Sequence, residues 1–348
     1  MLNKIFPNVR IAMENYILTA DTSLTYDGSV KPRTDIADIL SNQLRFDKIE
    51  YPMFKKNNNF DSVNISLIKR LTENSILYFQ FPTYTSYEQD LDFIERAHRK
   101  NITIIAIVHD INSLRGFRET LAEDIAMLNN FDFITLPSLS AEMLLKKNGL
   151  HVPTVIQRGP FDFLTSSPLN SPQYANIVNY AGNISKTKAG FLATLRNVHL
   201  VVYRKGTDFR LQNPSYYAGK YDNDELITKL DSGFGLLWDG DCSSKNPFKD
   251  YEKYNWQYKL SLYLAAGIVP IADSASNVGK WLKKTNCGLV INDITDLPEM
   301  IKTIDKTAYN TLYQKIRTQQ IRVRNGYYIK SIVSDVADLM ATNKDLVK

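Results

Sequence analysis

The chain has 348 residues, of which 44% are hydrophobic and 23% charged, and its net charge is +5 at pH 7. This length and composition are typical of a soluble globular protein, and the chain is long enough for two domains, each with its own core. The small positive charge would suit an acidic ligand or a weak association with a membrane surface, but it does not indicate nucleic-acid binding.

Alternating strands and helices begin at residue 75, whereas the first 50 residues give no clear pattern. Predicted strands cover residues 75–81, 102–108, 131–136 and 152–156, and predicted helices cover 87–100, 118–129 and 138–149, the last with Ser138 as its N-cap. Strands separated by helices of this length predict an α/β fold with a parallel sheet covered on both faces.

Residues 159–175 are rich in Pro, Ser and Asn and form the predicted linker, after which the alternation restarts. Predicted strands cover residues 177–181, 198–203, 233–238 and 268–272, and predicted helices cover 187–196 and 223–231, with another following the third strand. A further helix and the short strand CGLVI come after the last of these strands. The sequence therefore predicts two doubly wound units with a cleft between them.

The two cysteines, Cys242 and Cys287, are far apart and exclude a disulfide framework, as is usual in a reducing compartment. The N-terminal segment lacks the continuous apolar stretch of a signal peptide, and the longest apolar run, residues 262–272, is too short to span a bilayer. We therefore expect a cytoplasmic protein.

Polar side chains follow three of the predicted strands, where doubly wound sheets bind their ligands. A histidine or lysine at such a place is often only a loop or solvated helix-end residue, and both interpretations stay open. A lysine at a helix start is unfavourable to the helix dipole, which favours the presence of an anion. The candidates are His109 and Asp110, then Asn183, Lys186 and Lys188, and finally Asp239 and Asp241.

The most informative segment spans residues 233–291, in which a buried strand is followed by a polar loop and a short apolar helix. Asn255 stands where this helix is expected to begin and is the predicted cap, and Gly267 is expected to end it. Lys259 then lies in the first turn, so that backbone N–H groups and an ammonium group together predict a site for a nucleotide diphosphate. Replacing Lys259 by Ala is expected to impair binding while leaving stability unchanged.

A metal site is the alternative reading of the Asp239-Gly240-Asp241 triplet, because two carboxylates after a strand can hold a divalent cation. A match of three residues is common by chance, so a site without metal is favoured. The four histidines have no metal-ligand spacing, and the chain contains no glycine-rich phosphate loop.

Six segments in the same order carry a resemblance to a known family. They are ILYFQFPTY, IIAIVHDINSLR, DFITLPSLSAEMLLKKNG, NYAGNISKTK, YNWQYKLSLYLAAGIVPIAD and NGYYIKSIVSDV. Together they resemble the bacterial glycosyltransferases that include the glucosyltransferase extending GlcNAc on serine-rich-repeat adhesins and the β-1,6-galactofuranosyltransferases of polysaccharide synthesis. The resemblance covers most of the chain, although no single segment is specific.

The resemblance implies a GT-B architecture, in which two Rossmann-like domains face an interdomain cleft. The N-terminal domain would comprise residues 1–162 together with a last helix at 326–348, and the donor-binding domain residues 163–325. It also implies a UDP-sugar donor (UDP-glucose or UDP-galactose/galactofuranose), a glycan or glycoprotein acceptor, no cofactor or metal, and a homo-oligomer. A non-catalytic glycosyltransferase partner and a sugar-nucleotide epimerase are the rival functions.

Carried over by position, Lys259 resembles the lysine that contacts the donor diphosphate, and Lys186 stands at a second basic position that is usually arginine. Asn183 would shape the turn, and Thr25 would supply a donor-contacting hydroxyl. An expected tyrosine falls on Tyr221 or Tyr217. The candidate donor-binding residues are thus Lys259, Lys186, Asn183, Asn255, Tyr258, Thr25 and Tyr221.

One position departs from related retaining enzymes, which carry a glutamate five residues before the glycine at the helix end, where this chain has Leu262. An inverting reaction would instead need a general base near the acceptor hydroxyl. His109 and Asp110 are the predicted catalytic candidates for that role.

Overall fold

The computed structural model describes residues 14–20, 29–55, 59–117, 119–203, 210–243 and 245–343. The chain divides into two compact units, each with its own parallel six-stranded sheet. The first unit comprises Met1–Ser113, Phe117–Arg158 and Tyr328–Lys348, and the second comprises Leu114–Gly116 and Gly159–Tyr327. No helix among the described residues is both long and apolar enough to cross a membrane.

The first unit has the strand order β2-β1-β3-β4-β5-β6, and all of its pairings are parallel. Its strands are β1 (Asn15–Thr19), β2 (Asp47–Glu50), β3 (Ile76–Phe81), β4 (Thr103–Val108), β5 (Phe133–Leu136) and β6 (Thr154–Ile156). Its helices are α1 (Lys31–Leu44), α2 (Phe60–Lys69), α3 (Tyr87–His98), α4 (Leu121–Leu128), α5 (Leu139–Lys147) and, at the chain's end, α13 (Tyr327–Thr342).

The predicted strands of this unit are present because their apolar runs are buried on both faces. Every residue of β4 is buried, and β3 is buried from its second residue onward. Ser138 caps α5 as predicted, its side chain accepting a hydrogen bond from the backbone N–H of Ala141. The sequence analysis did not predict β1 and β2, which lie within the first 50 residues, where no alternation of strands and helices is recognisable.

The last helix makes polar contacts with distant parts of the first unit. Lys330 Nζ donates to Gln43 Oε1 at 2.7 Å, and Asp335 forms an ion pair with Arg158 at 2.6 Å. Helix α13 therefore brings the C-terminal end of the described chain to the N-terminal sheet.

The second unit has the strand order β12-β11-β10-β7-β8-β9, again with parallel pairings. Its strands are β7 (Gln173–Ala181), β8 (His199–Tyr203), β9 (Tyr216–Gly219), β10 (Ser232–Leu237), β11 (Val269–Asp273) and β12 (Leu289–Ile291). Its helices are α6 (Lys186–Ala189), α7 (Asn223–Lys229), α8 (Pro247–Tyr251), α9 (Tyr258–Ala266), α10 (Asn277–Thr285), α11 (Leu297–Thr303) and α12 (Lys306–Arg324).

Helix α9 is held on the second sheet by Tyr263. The Tyr263 hydroxyl donates to Asn179 O at 3.1 Å and accepts from the backbone N–H of Ala181 at 2.9 Å, both on β7. A Cβ at Gly235 would lie only 2.5 Å from the Tyr263 ring, so this position of β10 requires glycine. Gly267 ends the helix with φ +80°, as predicted.

Two helix predictions for this unit are wrong. Helix α9 begins at Tyr258 with Gln257 at its N-cap position, so Asn255 does not cap it. The helix predicted at 187–196 is only α6 followed by a 3₁₀ turn, Gly190–Ala193. The carbonyl of Lys188 accepts from the backbone N–H of Gly240 at 2.6 Å, so it is engaged with the loop after β10.

Candidate functional site

A cluster of charged side chains lies at the carboxyl ends of β7, β10 and β11, with Asp239 and Lys259 at its centre. Asp239 lies two residues after the end of β10, and Lys259 Nζ donates to Asp239 Oδ1 at 2.8 Å and to the Tyr180 hydroxyl at 3.3 Å. The side chains of Lys259 and Asp239 are only 13% and 8% exposed. Lys259 lies in the first turn of α9, as predicted, and forms a largely buried ion pair there.

Asp239 remains ionised although it is buried. Burial alone would raise the pKa of Asp239, but the neighbouring Lys259 and Lys188 outweigh this effect and hold it below its usual value. Lys188 Nζ lies 3.8 Å from Asp239 Oδ2. Tyr180 stays protonated, because burial and the Asp239 charge raise the pKa of its hydroxyl far above the usual value.

The cluster extends to a second group of side chains around Lys249. Lys249 Nζ lies 2.7 Å from Glu252 Oε2 and 2.6 Å from Asp273 Oδ2, and 3.1 Å from the centre of the Trp238 ring. Burial, opposed in part by Lys249, raises the pKa of Glu252 to about 7. We call Lys188, Lys249, Lys259, Asp239, Glu252 and Asp273 the lysine–carboxylate cluster.

The two candidate lysines of the turn after β7 lie in different surroundings. Lys186 is exposed at the start of α6, whereas Lys188 reaches Asp239. Asn183 is also exposed, in the turn that begins with Gly182 at φ +152°. A Cβ at Gly182 would lie 3.4 Å from Lys259 Cδ, so this turn passes directly beside the Lys259 side chain.

The remaining predicted donor residues are spread more widely. Tyr258 opens α9 and stacks on Phe163 with ring centres 5.6 Å apart, and the carbonyl of Asn255 accepts from Asn277 Nδ2 at 3.3 Å. Tyr221 lies beyond β9 and donates to the carbonyl of Ala218 at 2.9 Å, two strands away from β7. Thr25 lies outside the described residues.

In the first unit, His109 and Asp110 follow β4 as predicted, in different environments. Gln80 Nε2 donates to two backbone carbonyls, so its Oε1 is the acceptor for His109 Nε2–H at 2.9 Å. Burial, together with the Arg33 guanidinium, holds the pKa of His109 well below its usual value, and the ring is neutral. Asp110 is half-buried and accepts a hydrogen bond from the Tyr84 hydroxyl at 3.3 Å.

The two carboxylates of the Asp-Gly-Asp triplet have separate partners. Asp239 is paired with Lys259, whereas Asp241 accepts from Ser243 Oγ at 2.5 Å and from Asn246 Nδ2 at 2.8 Å. Within the part of the chain that the structure describes, no three His, Cys, Asp or Glu residues are grouped so as to hold a metal ion.

Two parallel, helix-flanked sheets, the second with lysines at the carboxyl ends of its strands, match the GT-B fold of glycosyltransferases. Solved structures with this fold cover nearly the whole chain. Anabaena HepE in complex with UDP and glucose has a TM-score of 0.60 at 14% identity, over 94% of this chain and 99% of that one. Sucrose-phosphate synthase from Thermosynechococcus elongatus has a TM-score of 0.59 at 11% identity, over 94% of this chain and 98% of that one.

Sequence comparison gives the family. The model of the glucosyltransferase 3-like N-terminal domain matches residues 14–159, and that of the C-terminal domain matches residues 178–336. The β-1,6-galactofuranosyltransferase WbbI of Escherichia coli (strain K12) is 25% identical over 91% of this chain and 96% of its own length. Glucosyltransferase 3 of Streptococcus gordonii is 24% identical over 75% of this chain and 78% of its own length. The chain belongs to the glucosyltransferase 3-like family of glycosyltransferases, in agreement with the resemblance seen in the sequence.

Proposed function

We propose that this glycosyltransferase moves a hexose from a UDP-sugar to a hydroxyl group of a glycan or glycoprotein. The observation that carries the donor side is the Lys259–Asp239 pair, with Lys188 beside it, at the carboxyl ends of β7 and β10. The names of the relatives support hexose transfer, and the complex of HepE with UDP and glucose supports a uridine nucleotide.

The lysines would act on the leaving diphosphate. As the bond from the sugar to the phosphate breaks, negative charge develops on the diphosphate oxygens. Lys259 and Lys188 then stabilise the transition state more than the ground state, which lowers the barrier. Lys259 is already oriented by Asp239 and Tyr180, so little reorganisation is needed to present its ammonium group.

We propose Asp110 as the general base that takes the proton of the acceptor hydroxyl. The base must accept a proton, and His109 is a poor candidate because burial and Arg33 oppose a positive charge on its ring. Asp110 is half-buried and offers carboxylate oxygens at the carboxyl end of β4. His109, bonded to Gln80, then serves to hold this strand end in place.

We further propose that the donor binds without a metal ion, because lysines supply the positive charge that a cation would otherwise bring to the diphosphate. The test is the melting temperature of the protein with UDP, measured in EDTA and in millimolar Mg²⁺ or Mn²⁺. Equal stabilisation in all three is expected. Stabilisation that EDTA abolishes would refute metal-free binding.

The same preparation distinguishes transfer from the rival functions. A transferase consumes UDP-sugar at a substantial rate only when a glycosyl acceptor is added, with UDP released in equal amount. An epimerase would convert the sugar nucleotide without acceptor, and a non-catalytic partner would not consume it at all. Either result would overturn the proposed function.

A further inference from the structure

Glu252 joins three elements around the lysine–carboxylate cluster. Its Oε1 accepts from the backbone N–H of Asp239 at 2.8 Å and from Gln257 Nε2 at 2.9 Å, and its Oε2 accepts from Lys249 at 2.7 Å. Asp239 lies in the loop after β10, Lys249 lies on α8, and Gln257 is the N-cap residue of α9. One carboxylate thereby ties the loop that carries Asp239 to the helix that carries Lys259.

Glu252 can act on a ligand only through these neighbours. Its side chain is 2% exposed, and each carboxylate oxygen already accepts at least one hydrogen bond. The separation of Asp239 and Lys259 depends on where β10 ends and where α9 begins, and Glu252 Oε1 contacts both places. Losing this acceptor would leave two buried donors without their partner and would let the ion pair shift.

The charge of Glu252 also sets the net charge of the cluster. The charged groups around it are Lys249 on α8, Asp239 after β10, Asp273 at the end of β11, Lys259 on α9 and Lys188 on α6. With Glu252 ionised, three lysines face three carboxylates and the cluster is neutral. With Glu252 protonated, the cluster carries one net positive charge and Lys249 keeps Asp273 as its ion-pair partner. The pKa of Glu252, raised to about 7 by burial, places this change near neutral pH.

We propose that Glu252 is a positioning residue of the donor site, and that binding of the donor diphosphate is coupled to proton uptake by its carboxylate. This inference rests on the proposed function, in which the cluster binds the diphosphate of a UDP-sugar. The anion and the Glu252 carboxylate repel each other, so the bound state favours the protonated carboxyl, and the proton comes from solvent.

Calorimetry of the wild-type protein tests the coupling directly. UDP-glucose and UDP-galactose are titrated separately at pH 7, each in HEPES and in Tris, whose ionisation enthalpies differ. The phosphates of both probes are diesters and do not titrate between pH 6 and 8. Uptake of a fraction of a proton is expected, with affinity falling about three- to tenfold from pH 6 to pH 8. Binding without proton uptake overturns this inference alone, whereas no binding at any pH overturns the proposed function as well.

Two substitutions separate the positioning effect from the charge. Glu252→Gln keeps a carbonyl oxygen for the Asp239 N–H and the Gln257 amide but removes the charge. The donor affinity of this variant should therefore be the same at pH 6 and pH 8, and equal to that of the wild type at pH 6. Glu252→Ala removes the acceptor as well and should weaken binding about tenfold at both pH values.

The matched control is Asp250→Asn, two residues before Glu252 on α8, which removes an exposed carboxylate that lies 3.6 Å from Lys253. This variant should keep the wild-type pH dependence of donor affinity. A Glu252→Gln protein that also keeps that dependence, or an Asp250→Asn protein that loses it, would refute the role of Glu252.

Discussion

Two buried carboxylates, one in each unit, have opposite kinds of partners. In the first unit, Asp90 accepts hydrogen bonds from the hydroxyls of Thr83 at 2.6 Å, Thr85 at 2.8 Å and Tyr51 at 2.9 Å. Burial outweighs these bonds and raises the pKa of Asp90 to about 6. In the second unit, Asp239 is paired with lysines, and its pKa is lowered despite equal burial.

The difference lies in what each arrangement can offer a ligand. Hydroxyls satisfy the Asp90 carboxylate without bringing a positive charge, so this part of the first unit stabilises the fold and presents no cation. The Lys259 and Lys188 side chains are positively charged and pair with Asp239. A diphosphate can replace Asp239 as their partner or share them with it. We infer that the second unit is suited to an anionic donor.

Replacing Asp110 should have the largest effect on turnover, and it tests whether the first unit supplies a catalytic charge. Asp110→Asn should lower turnover by about 10²- to 10⁴-fold, because a general base contributes that much. The Michaelis constant for the donor should change little, since the lysines lie in the other unit. Tyr84→Phe, which removes one hydroxyl donor to Asp110, should lower turnover only a few-fold. Near-normal turnover of Asp110→Asn would place the base elsewhere.

Lys259→Ala should lower turnover by about 10- to 100-fold and weaken UDP binding, because one charge-assisted contact is lost. The structure changes the expectation of unaltered stability: Asp239 would remain buried without its nearest cation, at a cost of about 3 kcal/mol.

A second substitution separates the two effects of Lys259→Ala. Adding Asp239→Asn removes the unpaired charge and should restore most of the stability without restoring transfer. Chemical denaturation and UDP titration of the two single variants and the double variant measure this. A double variant that regains transfer would show that Lys259 acts on folding alone.

Asp90 should make the stability of the first unit depend on pH. Between pH 4 and pH 6 the folded state retains a proton that the unfolded state has lost, so stability falls as pH rises and levels off above pH 6. Relative to Asp90→Asn, the wild type should lose about 2 kcal/mol of unfolding free energy between pH 4 and pH 7. Asp38→Asn, which removes a half-exposed carboxylate 2.9 Å from Lys48, is the control. Parallel pH profiles for wild type and Asp90→Asn would contradict the prediction.

The smallest expected effect concerns helix α5. Ser138→Ala removes the hydrogen bond to the backbone N–H of Ala141 and should lower the unfolding free energy by about 1 kcal/mol. Ser138→Asp retains an acceptor at this position and should recover most of the loss. UDP affinity should be unchanged in both variants, because the lysines lie in the second unit. A change in UDP affinity would show that the two units are energetically coupled.

Local sequence determined most of the strands, two helix ends and the position of Lys259. The apolar runs of β3, β4, β10 and β11 are long enough to identify buried strands, and Ser138 and Gly267 mark helix ends through backbone chemistry that needs no tertiary contact. Lys259 was recognisable because a lysine in the first turn of an apolar helix is electrostatically unfavourable without an anion or a carboxylate.

Tertiary structure decided the rest, because the deciding interactions join residues far apart in the chain. Lys249 forms ion pairs with Asp273, 24 residues later in the chain, and with Glu252, 3 residues later. Nothing in this spacing distinguishes the three buried or partly buried side chains from charged residues in solvent. Lys188 rather than Lys186 reaches Asp239 because the turn after β7 ends in a helix of only four residues. Our proposal of Asp110 rather than His109 as the general base likewise depends on burial, because the two residues are adjacent in sequence but only His109 is fully buried.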